Sequence, residues 1–137
     1  MKTLFFLLLL VPPLYLDAQP SIGWTKKEAI KELYSDPNIL NIDTVHRQDG
    51  VFLIICARKN TKVVANTYAF GEFDNICSVI STYYHYSELN SVITFLNNNY
   101  VKESEYKWID YGSKIGNFYI EIAKEEKYFL MYFYLKH

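Results

Sequence analysis

Cysteine is almost missing from this chain: Cys56 and Cys77 are the only two among 137 residues. Two thiols cannot build a disulfide framework, so the fold must rest on a buried core. A surplus of positive charge is missing too. Fourteen Lys and Arg face fifteen Asp and Glu, and Arg47 and Arg58 are the only arginines. That balance argues against a nucleic-acid binder, which needs basic charge to neutralise phosphates. Only five glycines are present, and they form no phosphate-cradling loop. Histidine is limited to His46, His85 and His137.

The run Leu4–Val11 is apolar, but Pro12 and Pro13 cut it short of the about 20 residues that a membrane-spanning helix needs. Lys2 precedes the run, and Leu16-Asp17-Ala18-Gln19-Pro20 follows it. A basic start, a short apolar run and a small residue before a polar stretch form the pattern of a secretory signal peptide. We expect residues 1–18 to be that signal, with cleavage after Ala18, and residues 19–137 to be one domain of a secreted or periplasmic protein. Removing the signal takes away Lys2 and Asp17, so the net charge stays at −1. Half the residues are apolar and 18% aromatic, enough to bury a core in a chain of this length.

Thr25-Lys26-Lys27-Glu28 has the spacing of a capping box, and Ala29, Ile30, Leu33 and Tyr34 follow at helical spacing. Pro37 disfavours α geometry at the residue before it, so the pattern predicts a helix over 26–35. Ser87 reads as a second N-cap, before the stripe Leu89, Val92, Ile93 and Leu96. Asn97-Asn98-Asn99 reads as the exit, because Asn tolerates left-handed geometry.

Strands are predicted at 39–47, 51–56, 63–70 and 76–86 before this helix, and at 101–110, 118–122 and 128–135 after it. The turn signals between them are Asp49-Gly50, Lys59-Asn60-Thr61-Lys62, Gly71–Asn75 and Lys124-Glu125-Glu126-Lys127. Short connections require antiparallel pairing. The expected fold is therefore α+β: an antiparallel sheet of about seven strands, in the order αββββαβββ, with two amphipathic helices on one face. Ile30, Leu33, Leu89, Val92, Ile93 and Leu96 should pack on Phe52, Ile54, Phe118, Ile120, Phe129 and Phe133. In such a meander Cys56 and Cys77 sit two strands apart, roughly 9–10 Å, beyond the about 7 Å a disulfide allows. Both should be free, buried thiols.

Shifting residues 50–68 by 66 positions lays Gly50 on Gly116, Phe52 on Phe118, Ile54 on Ile120, Ala57 on Ala123 and Tyr68 on Tyr134. That pattern suggests a tandem duplication. The element order resembles small exported modules built from helix-plus-antiparallel-strand units, such as the β-lactamase inhibitory proteins and cystatin-like domains. The resemblance lies in element order, and no functional residues come with it.

Several groupings of residues could carry chemistry. Asp43 and His46 have an odd spacing, which places them on opposite faces of a strand. Cys56 or Cys77 with His85 would need an electropositive, accessible setting, and Cys56 lies inside the apolar run Val51–Ile55. Glu103, Glu105 and Asp110 could pair carboxylates, and Glu103 and Glu105 fall on one strand face, but charged pairs on such a strand read as a solvated edge. We therefore expect no catalytic residues, metal or cofactor. Tyrosine is the informative excess, with thirteen residues. In the last hairpin the alternation sends Phe118, Ile120, Ile122, Phe129, Met131, Phe133 and Leu135 to one face. Tyr119, Tyr132 and Tyr134 go to the other, and Tyr84 and Tyr86 add phenols nearby. Tyr suits protein interfaces because one end is apolar and the other wet. The sequence thus points to an exported inhibitor- or immunity-like module that binds a protein partner, or itself, through a Tyr-rich face. A module that binds a small ligand or polysaccharide is the second reading, and a small hydrolase a third.

Overall fold

The computed structural model describes residues 22–59, 62–112 and 116–135. The expected signal peptide and His137 lie outside that range.

Helix α1, Lys26–Ser35, has the predicted bounds for the predicted reason. Thr25 Oγ1 accepts from the Glu28 backbone N–H at 3.2 Å, and Glu28 Oε2 accepts from the Thr25 N–H at 2.8 Å. The helix buries Ala29 and Leu33, with Ile30 packed beside them. Tyr34, expected on the same stripe, is 71% exposed: it lies past the edge of that narrow face. Four strands follow: β1 (Ile39–His46), β2 (Phe52–Arg58), β3 (Val63–Phe70) and β4 (Cys77–His85). A 3-10 turn, Tyr86–Glu88, leads into α2, Leu89–Asn99. Ser87 lies within that turn, and α2 starts without a side-chain cap. Asn97, Asn98 and Asn99 stay helical rather than left-handed, and Asn99 Nδ2 donates to the Phe95 carbonyl at 2.8 Å. Among the described residues, the asparagine with left-handed geometry is Asn75, in the β3–β4 turn.

The predicted strand 101–110 is a hairpin, β5 (Val101–Ser104) and β6 (Lys107–Asp110). It turns at Glu105-Tyr106, a pair that carries none of the usual Gly, Pro or Asn turn chemistry. The last hairpin is β7 (Phe118–Lys124) and β8 (Tyr128–Leu135). Among the described residues the sheet thus has eight strands, not seven, in the order β1-β2-β3-β4-β8-β7-β6-β5, all antiparallel. A helix followed by a four-strand meander occurs twice, and the two fourth strands, β4 and β8, meet at the centre. The 66-residue shift does not mark this repeat. It lays β2 and β3 on β7 and β8, whereas their topological counterparts are β6 and β7. Matching hairpins share a period of two, and that alone aligns their apolar residues.

Alternation gives each strand two faces. One carries Phe52, Ile54, Tyr68, Phe118, Ile120 and Phe129 and holds two core clusters. The first gathers Ile22, Ala29 and Leu33 with Phe52, Ile54, Phe70 and Cys77. The second gathers Val92 and Leu96 with Tyr84, Trp108, Ile120 and Phe129. Leu89 and Ile93 pack against the second cluster, and Phe133 against both. Arg58 is buried on this face as well. Its Nη1 lies 3.0 Å from Asp36 Oδ2, its Nη2 donates to the Tyr68 hydroxyl at 3.2 Å, and its Nε donates to Asn66 Oδ1. Asn66 Nδ2 passes the chain on to Thr82 Oγ1 at 3.0 Å. Cys56 and Cys77 are free and buried, on β2 and β4. Cys56 pairs with Asn66, and Cys77 with Phe70 at the other end of β3, so the thiols lie far apart.

Candidate functional site

The far face of the sheet is where sequence and structure meet. Strand register alone dictates its layout. Across β1 to β4, Val45, Leu53, Ala69 and Val79 are aligned partners. The same row continues through Tyr134, Tyr119, Ile109 and Val101 on β8 to β5. Every strand contributes one residue, and none is charged. The next row runs Asp43, Ile55, Thr67 and Ser81, then Tyr132, Glu121 and Lys107. A third runs Asn41, Ala57 and Ala65, then Tyr83, Leu130 and Ala123. The β2–β3 half presents aliphatic and other small side chains. The β8–β7 half presents tyrosines.

Tyr119, Tyr132 and Tyr134 are each partly exposed here. The Tyr134 hydroxyl donates to Glu121 Oε2 at 2.9 Å. Its ring centroid lies 5.6 Å from that of Tyr119. Lys107 Nζ sits 3.9 Å above the Tyr119 ring, 3.5 Å from Glu121 Oε1 and 3.4 Å from Glu103 Oε2. Partial burial works against the Lys107 charge, but Tyr134, Glu121 and Glu103 outweigh it and hold the ammonium pKa above its usual value. Burial, then the Glu121 carboxylate, pushes the Tyr134 phenol up; burial, then Tyr83, does the same for Tyr132. The phenols are therefore neutral at physiological pH, able both to donate and to accept.

Two expected members are not on this face. Tyr84 alternates to the core side, is 3% exposed, and stacks on Phe129 at 5.2 Å. Burial pushes its phenol pKa up. Tyr86 has left the strand for the 3-10 turn, where its hydroxyl donates to the Glu125 carbonyl. Tyr83 takes Tyr84's place. The signal was available in the sequence: Ile80 and Tyr84 share a parity, so Tyr83 belongs to the other face.

The residues that could have paired for chemistry are dispersed. His46 pairs with Phe52 and Asp43 with Ile55, hence opposite faces. His85 rests edge-on against Tyr128 at 5.8 Å. Glu103 lies on β5 and Glu105 in the turn, so the two do not share a strand face, and Asp110 accepts from the Gly112 N–H at 2.7 Å. Among the described residues, no three His, Cys, Asp or Glu side chains come together as a metal site. Burial raises the Cys56 thiol to about 11 and the Cys77 thiol to about 12. Thiolate is the reactive form, so at pH 8 both should be about a hundredfold or more poorer in thiolate than an ordinary cysteine. Native protein treated with iodoacetamide at pH 8 should keep its intact mass, and unfolded protein should gain two carbamidomethyl groups. Rapid native labelling would mean that a thiol is accessible.

A second feature lies at the β5 edge. An open cleft of about 400 Å³ is formed by the end of α2 (Asn98, Asn99), Tyr100 and Val101, and by Ile109–Gly112. Tyr111 is 57% exposed there. No described helix is long and apolar enough to cross a membrane. Comparisons with known protein families, with curated proteins and with solved structures found no match for the chain.

Proposed function

We propose that the chain is an exported interaction protein, an inhibitor- or immunity-like module that grips another protein with the far face of its sheet. Ala29 and Leu33 of α1 and Val92 and Leu96 of α2 pack with residues of the other face, and Tyr119, Tyr132 and Tyr134 are partly exposed. The observation that carries the reading is the partly exposed cluster of Tyr119, Tyr132 and Tyr134, continuous with the uncharged, partly exposed row Val45, Leu53, Ala69 and Val79. A contiguous apolar and aromatic patch of a few hundred Å² on a domain surface usually marks a contact site. Tyrosine contributes large contact area at low entropic cost.

Protein recovered from the medium or periplasm of its host should begin at or near Gln19. It should also carry a bound protein that the Tyr132→Ser, Tyr134→Ser double variant fails to retain at unchanged thermal stability. An intact Met1 would remove the export argument, and equal capture by both forms would remove the face. The cleft supports a second reading, a small-ligand or polysaccharide binder. Tyr111, Asn98, Asn99 and Asp110 are among its lining residues, residue types that suit stacking on and hydrogen bonding to a sugar.

A further inference from the structure

The two buried thiols take no part in the contact face. We propose that the native fold and a Cys56–Cys77 disulfide exclude each other, so that thiol oxidation is a switch that holds the chain unfolded and reduction releases it. The proposal is independent of the contact-face reading.

Strand register sets the thiols apart. Cys56 on β2 is aligned with Asn66 on β3, and Cys77 on β4 with Phe70, four residues further along β3. Strand β3 itself lies between β2 and β4. Four residues of rise and two strand spacings separate the Cα atoms by roughly 16 Å, against the about 7 Å that a disulfide allows. Both side chains are built into the first core cluster, at 0% and 1% exposure. Cys77 is also pinned by its backbone: its N–H donates to the Trp24 carbonyl at 2.8 Å, and its carbonyl accepts from the Gly23 N–H at 2.9 Å. To bring the two sulfurs together, β3 would have to leave its place between β2 and β4, and the cluster that packs Ala29 and Leu33 would open with it.

The unfolded chain has no such barrier. Only β3 and the stretches on either side of it separate the two residues in sequence, a short loop to close. There each thiol is solvated and ionises as an ordinary cysteine, whereas burial holds both protonated in the fold. A disulfide oxidant supplies the chemistry. One cysteine thiolate attacks it and forms a mixed disulfide, releasing one oxidant thiol. The second thiolate attacks the cysteine sulfur of that mixed bond, forms Cys56–Cys77 and releases the other oxidant thiol. The two cysteines thus lose two electrons and two protons, and the oxidant gains them as its own two thiols. Because the bond forms only in the unfolded state, it draws molecules out of the folded one. On the export reading above, folding and oxidation compete as the chain enters an oxidising compartment.

Excess oxidised dithiothreitol, a cyclic disulfide, tests the switch. Dilute chain unfolded in urea should crosslink to a monomer, read by mass. Folded protein should crosslink more slowly by about a hundredfold or more, since it must first open. On dilution from urea the crosslinked monomer should lack the native near-ultraviolet circular dichroism, and reduced dithiothreitol should restore it. Cys56→Ala cannot form the bond and should refold equally well with and without oxidant; Cys77→Ala serves the same purpose if Cys56→Ala does not fold. A crosslinked chain that regains the native signal overturns the proposal. So does folded protein that crosslinks as fast as the unfolded chain, or a single-cysteine variant that oxidant also keeps unfolded.

Discussion

Asp36→Ala should cost about 3–5 kcal/mol, close to the whole stability of a small domain. Asp36 ends α1 and reaches Arg58 on β2, and the two side chains are 11% and 2% exposed. Arg58 cannot shed its proton, so without Asp36 its charge stays buried with only the neutral partners Asn66 and Tyr68. Charges left without a counter-ion in the interior are the expensive case. Replacing both members, Asp36→Ala with Arg58→Met, removes the charge as well and should recover most of the loss. Denaturant midpoints of the two variants decide the matter. A cost below about 1 kcal/mol for the single change would show that the pair is screened by water.

Trp108→Ala should cost about 3–5 kcal/mol through lost contacts and the cavity left behind. Trp108 is fully buried against Leu96, Val92 and Ile120, and its Nε1 donates to Asn97 Oδ1 at 2.9 Å. It is the main anchor of the short β5–β6 hairpin, because Val101–Ser104 is exposed throughout. Hydrogen exchange in residues 101–110 should therefore accelerate more than in β2 or β3. Uniform acceleration would mean that the hairpin opens only with the whole domain.

Local chemistry made much of this fold legible. The Thr25–Glu28 box and Pro37 set α1 to the residue, because a cap and a proline act within one turn. Period-two alternation separated Phe118, Ile120 and Phe129 from Tyr119, Tyr132 and Tyr134 for the same reason. What stayed hidden depends on distance or on weak turns. Glu105-Tyr106 bends without turn chemistry, which merged β5 and β6 into one strand and put Glu103 and Glu105 on one face. The 3-10 turn after His85 took Tyr86 off the strand and Ser87 off the helix start. Arg58 carried no local mark of its partner, since Asp36 lies 22 residues away. The uncharged row from Val45 to Val101 needs the strand order, and no single strand reveals it.

The meeting of β4 and β8 sets an order of assembly. The first half can complete its meander from neighbours in sequence, but the second half begins at the far edge, β5, and ends at the centre. His85 must find Tyr128, and Val79 must find Tyr134, across a long closed loop whose entropy is lost before any pairing forms. In a chain delivered N-terminus first, the strand that joins the halves is the last to arrive. Until then β4 waits as an unpaired edge, with Tyr84 uncovered by Phe129, and a chain cut before Tyr128 never closes that seam.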